Sequence, residues 1–156
     1  MTCDIIGVDI RELKRFEDDR GWLLELFRSD ELAEEYHPVM SYVSMTLPGV
    51  TRGPHEHVDQ ADCFCFIGAS TFRLYLWDNR CDSGTYGAKA VMECGETNPT
   101  MVIVPKGVVH AYKNVGDVRG IVYNAPNRLY RGEGKKDRVD EIRHEEDADS
   151  GFIVDD

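Results

Sequence analysis

The chain has 156 residues, 42% hydrophobic, 10% aromatic and 30% charged, with 14 Gly and 6 Pro; this is one domain's length of ordinary globular composition, and it excludes a low-complexity chain or two full catalytic domains. Lys and Arg number 18 against 29 Asp and Glu, a net charge of -11 whose field opposes nucleic acid and anionic membranes. The start, Met1-Thr2-Cys3-Asp4-Ile5-Ile6, has no basic segment followed by an apolar run, and no stretch approaches the roughly 20 apolar residues of a membrane span, so a cytoplasmic protein is expected.

The first element with a clear signature is a short helix over residues 29–36, with Ser29 as N-cap, acids in its first turn and His37-Pro38 as its stop. From Met40 to Tyr123 the chain reads as short β-prone runs at 41–47, 61–67, 71–77, 88–93, 101–104 and 120–124, at the spacing of an all-β sandwich or barrel. Within 61–67, period-two alternation puts Cys63 and Cys65 on one face and Phe64 and Phe66 on the other. Within 71–77, Phe72, Leu74 and Leu76 share the packing face, and Arg73, Tyr75 and Trp77 share a face that can present polar groups. The cysteines, Cys3, Cys63, Cys65, Cys81 and Cys94, are odd in number and lack C-x-x-C spacing, so they read as reduced space-fillers. Residues 131–156 hold ten acids and five Lys or Arg. They read as an acidic C-terminal tail on a single domain spanning 1–156, whose apolar end at Phe152, Ile153 and Val154 docks on the body or on a partner subunit.

The densest chemical signal is Gly49 to Asp62, where His55 and His57 stand two apart and so share a strand face. A third histidine, His110, follows the Pro105-Lys106-Gly107 turn. The three converge if the sheet closes on itself, which implies a barrel with a polar pocket. Three uses compete for these side chains. With Asp62 they form a three-imidazole, one-carboxylate set suited to Zn, Fe, Mn or Ni; a metal-free His55 is a general base; or all three are hydrogen-bonded structural histidines. Periodicity alone makes Tyr123 a core residue with a tethered hydroxyl. His37 reads as a loop residue, His144 as solvated, and Trp22 and Trp77 as core aromatics.

The run Pro105-x-Gly107-x-x-His110-x-x-x-Asn114 matches the second motif of the cupin superfamily across that span, with Pro99 where the motif's preceding glycine would stand. Gly49, His55, His57, Asp62 and Gly68 approximate the first motif. The chain therefore resembles a cupin, and the fold implied is the all-β double-stranded β-helix, or jelly roll. A narrower resemblance runs from Phe16 to Asn124: Arg20-Gly21 with Glu25, Phe27 and Arg28; Arg52-Gly53-Pro54-His55; Asp78-Asn79-Arg80 with Ser83-Gly84-Thr85-Tyr86-Gly87; Pro105 to His110; and Tyr123, thirteen residues after His110. These are similar to the successive signatures of the dTDP-4-dehydrorhamnose 3,5-epimerase family.

The resemblance implies an epimerase acting on a nucleoside-diphosphate 4-keto-6-deoxyhexose in nucleotide-sugar and polysaccharide metabolism, with no cofactor, His55 as base, Tyr123 as acid, and Arg20, Glu25 and Arg52 holding the nucleotide sugar; a metal-dependent cupin and a non-catalytic sugar-binding relative are the alternatives. Protons flanking a C4 ketone are acidic enough for an imidazole to remove, and His110 or an arginine would serve the enolate oxygen. The diphosphate calls for a local cluster of Arg20, Arg28, Arg52 and Arg73. The resemblance also implies a homodimer in which an N-terminal segment pairs with the partner's sheet. His57 and Asp62 depart from the family's R-G-x-H-x-Q followed by lysine, and Asp147 and Asp149 are the candidates for the carboxylate that orients His55.

Overall fold

The computed structural model describes residues 3–155. Its strands are β1 Asp9–Glu12, β2 Arg15–Asp18, β3 Gly21–Leu24, β4 Tyr42–Thr46, β5 Thr51–Glu56, β6 Asp62–Gly68, β7 Thr71–Asp78, β8 Lys89–Gly95, β9 Thr100–Val104, β10 Val108–Asn114, β11 Gly120–Asn124 and β12 Ile142–Arg143. Two five-stranded antiparallel sheets, ordered β1-β9-β6-β11-β4 and β12-β5-β10-β7-β8, form the body, and β2 and β3 form a separate hairpin. None of its helices is long and apolar enough to cross a membrane.

All six runs expected from the sequence are strands, with ends displaced by no more than two residues. The alternation explains the layers. Phe64 and Phe66 of β6 enter the inter-sheet core with Phe72, Leu74 and Leu76 of β7 and Val102 and Val104 of β9. Cys63 and Cys65 face the other way and pack with Leu32, Met101 and Ile103. All five cysteines are free.

Two expectations change. The helix over 29–36 is replaced by a single 3-10 turn, Glu34–Tyr36, with no side-chain cap. Ser29 caps nothing there, and acids at 30, 31, 34 and 35 place like charges four apart in a segment too short to be helical without an amphipathic face to bury. The outward face of β7 is polar only at Arg73, which pairs with Glu93, because Tyr75 and Trp77 are buried with Val109 and Ala111 beneath Phe152 and Val154. The apolar end of the chain thus docks on the body, as its composition implied.

The approach of β5 to β10 positions the histidines. His55 lies opposite His110, and a register shift follows before Tyr112 pairs with Arg52. Gly53 permits this: it has φ +84, and a Cβ there would lie 2.5 Å from the His110 carbonyl oxygen, so a side-chain-bearing residue would force the strands apart. Asp78 terminates β7 and ties down the loop beyond it, accepting from Arg80 Nε at 2.7 Å, Ser83 Oγ at 2.6 Å and Thr85 Oγ1 at 2.6 Å. The Asp78-Asn79-Arg80 signature is therefore structural in this chain.

Candidate active site

His55 of β5, His57 just beyond the end of that strand and His110 of β10 form one cluster, with ring centroids 4.4 Å apart for His55 and His110 and 5.8 Å for His55 and His57. Their differing partners give them different chemistry. His57 donates Nδ1–H to the Asp140 carbonyl, and its Nε2 lies 3.1 Å from Asp62 Oδ2. Burial alone would lower the His57 pKa, but the hydrogen bond and charge of Asp62, with Asp140, outweigh it and raise it to about 9. The Asp62 carboxyl is fully buried, which would raise it; the His57 hydrogen bond and charge, with His110 and Asn124, instead hold it at about 2. His57 and Asp62 are thus an ion pair at neutral pH.

His55 behaves oppositely. Burial first, then the fields of His110 and His57, press its pKa down to about 2, so it is a neutral imidazole. Its Nδ1 is buried without a hydrogen-bond partner. Glu141 and Glu145 stand 3.7 Å and 3.9 Å from its ring nitrogens, and these are the carboxylates beside it; Asp147 and Asp149 are exposed. His110 is also driven neutral, chiefly by burial. Its Nδ1–H donates to the Val108 carbonyl at 3.1 Å, which leaves Nε2 a lone pair, buried without a hydrogen bond and 3.4 Å from Asp62 Oδ2. His110 therefore has no proton to give an enolate oxygen. It lies behind His55 and against Phe64, outside the cleft lining, and acts as a positioning residue.

The cleft in front of the cluster measures about 1490 Å³ and is lined by His55, His57, Arg52, Tyr42, Tyr112 and a long C-terminal segment from Pro126 to Glu145. That segment crosses the site as a strap and is held at its far end by β12, which pairs Arg143 with His55 and Ile142 with Glu56. Asp140 accepts three backbone N–H groups, from Val58 at 2.9 Å, Asp59 at 2.9 Å and Gln60 at 2.7 Å. His144 Nε2 meets Glu56 Oε1 at 2.8 Å, so it is anchored and not solvated. The expectation of a surface tail beginning at 131 is corrected: its first fifteen residues complete the site.

Of the expected substrate-binding residues, the structure brings only Arg52 to this cleft, where it donates to Thr46 Oγ1 and to the Met45 carbonyl, each at 2.9 Å. Arg20 sits at the β2–β3 turn, 90% exposed and paired with Asp18. Arg28 pairs with Asp30 and Glu31 and lies near Glu25 on the surface. Arg73, on the outward face of β7, pairs with Glu93 of β8. None of Arg20, Glu25, Arg28 and Arg73 lines the cleft of its own chain. The cations that do are Arg128, Arg131, Lys135, Arg138 and Arg143 of the strap. Sequence reasoning passed over them, although 126–139 carries five cations and two acids in a chain of net charge -11.

Tyr123 is also corrected. It lies opposite Cys65 in register and packs with Cys65, Met101 and Ile103 on the outer face. The next residue, Asn124, points inward, where its Nδ2 donates to Asp62 Oδ1 at 2.8 Å.

Comparison with known proteins agrees with this architecture. The model of the family described as dTDP-4-dehydrorhamnose 3,5-epimerase matches residues 2–143. The probable low-salt glycan biosynthesis epimerase Agl13 of Haloferax volcanii is 40% identical over 129 residues, which is 81% of this chain and 81% of the relative. The dTDP sugar isomerase of Desulfovibrio desulfuricans G20 superposes with a TM-score of 0.82 at 22% identity, over 96% of this chain and 91% of that one. The 3,5-epimerase RmlC of Legionella pneumophila Philadelphia 1, solved in complex with dTDP-4-keto-L-rhamnose, gives 0.76 at 21% identity, over 92% and 75%. The fold is the cupin jelly roll that these structures share.

Proposed function

Because the chain belongs to the dTDP-4-dehydrorhamnose 3,5-epimerase family and is thereby an isomerase-type enzyme, we propose that it epimerises a nucleoside-diphosphate 4-keto-6-deoxyhexose by removing and replacing a proton next to the C4 ketone. The observation that carries this reading is the presence, in one cleft, of a neutral imidazole and a charged one. His55 keeps an unpartnered lone pair and is the base that takes the carbon-bound proton. His57, whose two N–H groups are taken by the Asp140 carbonyl and by Asp62, has none to donate to the enolate oxygen; it acts through its fixed charge, partly offset by Asp62, which in a buried site is screened far less than in water. His110 and the two glutamates position His55.

The cleft exceeds the usual 300 to 1,000 Å³ of small-ligand pockets, as a nucleotide joined to a sugar requires. The strap supplies the counter-charge for a diphosphate: Lys135 and Arg138 face the cleft and have no ion-pair partner among the described residues. Arg131 and Lys135 both have positive φ, 57 and 59, a backbone cost of about 1–3 kcal/mol each that persists where surrounding structure or function demands it. Incubation with nucleoside-diphosphate 4-keto-6-deoxyhexoses, followed by NMR assignment of ring stereochemistry, tests the reading: inversion at C3, C5 or both supports it, and unchanged sugars across the panel reject it.

The expected homodimer belongs to the same proposal. Among the described residues the β2–β3 hairpin pairs with no other strand; it exposes Phe16 and Leu23 at 54% and 66%, and Arg20 and Glu25, absent from their own cleft, lie on or beside it. A hairpin seated against a second copy would cover these side chains, and light scattering that finds only monomer rejects this part.

A second reading is favoured by one observation. Single donor atoms of His55, His57 and His110 lie within 4.8 Å of one another, and two of them, His55 Nδ1 and His110 Nε2, are buried without partners. These imidazoles with Asp62 have the donor types for Zn, Fe, Mn or Ni, and such an ion would polarise the ketone oxygen. Stoichiometric metal in purified protein, lost in His110→Ala, would establish it.

A further inference from the structure

Inverting a carbon requires the second proton to arrive on the ring face opposite the first, so the base and the acid must be different groups across the cleft. Tyr123, which family resemblance assigns as the acid, points out of the cleft among Cys65, Met101 and Ile103. A phenol nevertheless reaches the site from the neighbouring strand. Tyr42 of β4 pairs in register with Asn124 of β11, and both belong to the polar floor on which Asp62 sits.

The hydrogen-bond inventory of Asn124 fixes how this phenol is presented. Its Oδ1 accepts the Cys63 N–H at 3.2 Å, so the other terminal atom is the amide nitrogen, with two protons to give. One goes to Asp62 Oδ1 and the other to the Tyr42 hydroxyl oxygen, each at 2.8 Å. Tyr42 is thus an acceptor in this bond, and its own O–H is left free to donate into the cleft that the residue lines. The other two cleft tyrosines are placed less well. Tyr112 shares its hydroxyl with Ser44 at 3.0 Å and its ring belongs to the inter-sheet core. Tyr130 is about as exposed as Tyr42, 52% against 45%, but no hydrogen bond among the described residues fixes its hydroxyl.

We propose that Tyr42 is the proton donor of the epimerisation, held by Asn124 and facing His55 across the cleft. The inference rests on the epimerase reading. In the first half-reaction the C–H bond next to the ketone breaks, its proton passes to His55 and its electron pair enters the enolate. In the second half the Tyr42 O–H bond breaks and a C–H bond forms on the other ring face. The Asn124 N–H offsets part of the cost that burial and the nearby Asp62 charge put on the phenolate that remains, so that phenolate is short-lived; water returns its proton while His55 loses its own. The Asn124–Asp62 link also couples the phenol to the carboxylate that holds His57.

The test is Tyr42→Phe assayed in heavy water against wild-type protein, with Tyr123→Phe and Tyr130→Phe alongside, each shown to melt within a few degrees of wild type. Loss of a general acid costs about 10²–10⁴-fold. Tyr42→Phe is therefore expected to lose at least 100-fold in kcat for inversion with KM within about threefold, while still exchanging substrate hydrogen for deuterium without inversion, because His55 remains and returns a solvent deuteron to the face it came from. Tyr123→Phe is expected to behave as wild type. Undiminished inversion by Tyr42→Phe, or the same uncoupling in Tyr130→Phe and not in Tyr42→Phe, overturns the assignment while leaving the epimerase reading standing. A wild-type protein that neither exchanges nor inverts any 4-keto sugar overturns the reading and the assignment together.

Discussion

The cleft has two sides built by different physics. The strand side, from β5, β6 and β10, holds His55, His57, Asp62 and His110 by ladder register and burial, so each side chain's face is decided by its parity along the strand. The strap, residues 126–145, holds its groups through a few point contacts: Asp140 on three backbone N–H groups, His144 on Glu56 and two residues of β12. The difference separates chemistry from recognition. Groups that must keep a fixed protonation state lie where burial sets it, and groups that must meet a large, variable ligand lie on a segment with few contacts and several left-handed residues.

Substitutions on the two sides sharpen this contrast. The largest effect is expected for His55→Ala, which removes the base: kcat should fall by about 10³-fold or more with the fold intact, read by turnover and circular dichroism. Asp62→Ala leaves His57 buried without its counter-ion and should cost roughly 3–5 kcal/mol, measured by denaturant unfolding. Asp140→Ala, which unties the strap from three N–H groups, should cost about 1–3 kcal/mol and raise KM more than it lowers kcat. Lys135→Ala with Arg138→Ala should raise KM for the diphosphate-linked sugar by about tenfold, equivalent to roughly 1.4 kcal/mol, and leave both kcat and melting temperature near wild type. If this double variant loses kcat instead, the division between the two sides is wrong.

The buried histidines of the strand side also set how stability depends on pH. The folded pKa of His57, about 9, lies above the ordinary 6.5, so its contribution is complete below pH 6.5 and is lost as pH rises through 9. The folded pKa of His55, about 2, lies below the ordinary value, so its contribution is complete above pH 6.5 and is lost as pH falls toward 2. These two groups together place maximal stability near pH 6.5, with a decline on the order of 10 °C in melting temperature toward pH 9. Asp62→Asn should flatten the alkaline limb.

The sequence makes the strand side legible and the strap obscure, for the same reason. Period-two alternation sorted Cys63 and Cys65 from Phe64 and Phe66, and the two-residue spacing of His55 and His57 placed both in one cleft. The same rule shows why Tyr123 was misplaced. Its spacing from His110 brings it to β11, but one step of register decides the face, and Asn124 takes the inward position. The strap has no periodicity to read. Its signal was compositional, five cations interleaved with Gly132 and Gly134, and the acids after 140 masked it when the whole tail was read as one charged segment. The residues that fix it, Asp140 and His144, act through partners more than 80 positions away, which no local pattern announces. The hairpin strands β2 and β3 were legible only as part of a family resemblance, since their side chains are mostly exposed.

The central claim is that His55, neutral and backed by Glu141, Glu145 and His110, removes a carbon-bound proton next to a ketone. Counting deuterons incorporated from heavy water into nucleoside-diphosphate 4-keto-6-deoxyhexoses, by mass spectrometry with chelator present, measures that step directly. Wild-type protein is expected to incorporate one or two deuterons per sugar and His55→Ala none. Full incorporation by His55→Ala, or none by folded wild-type protein, would contradict the account.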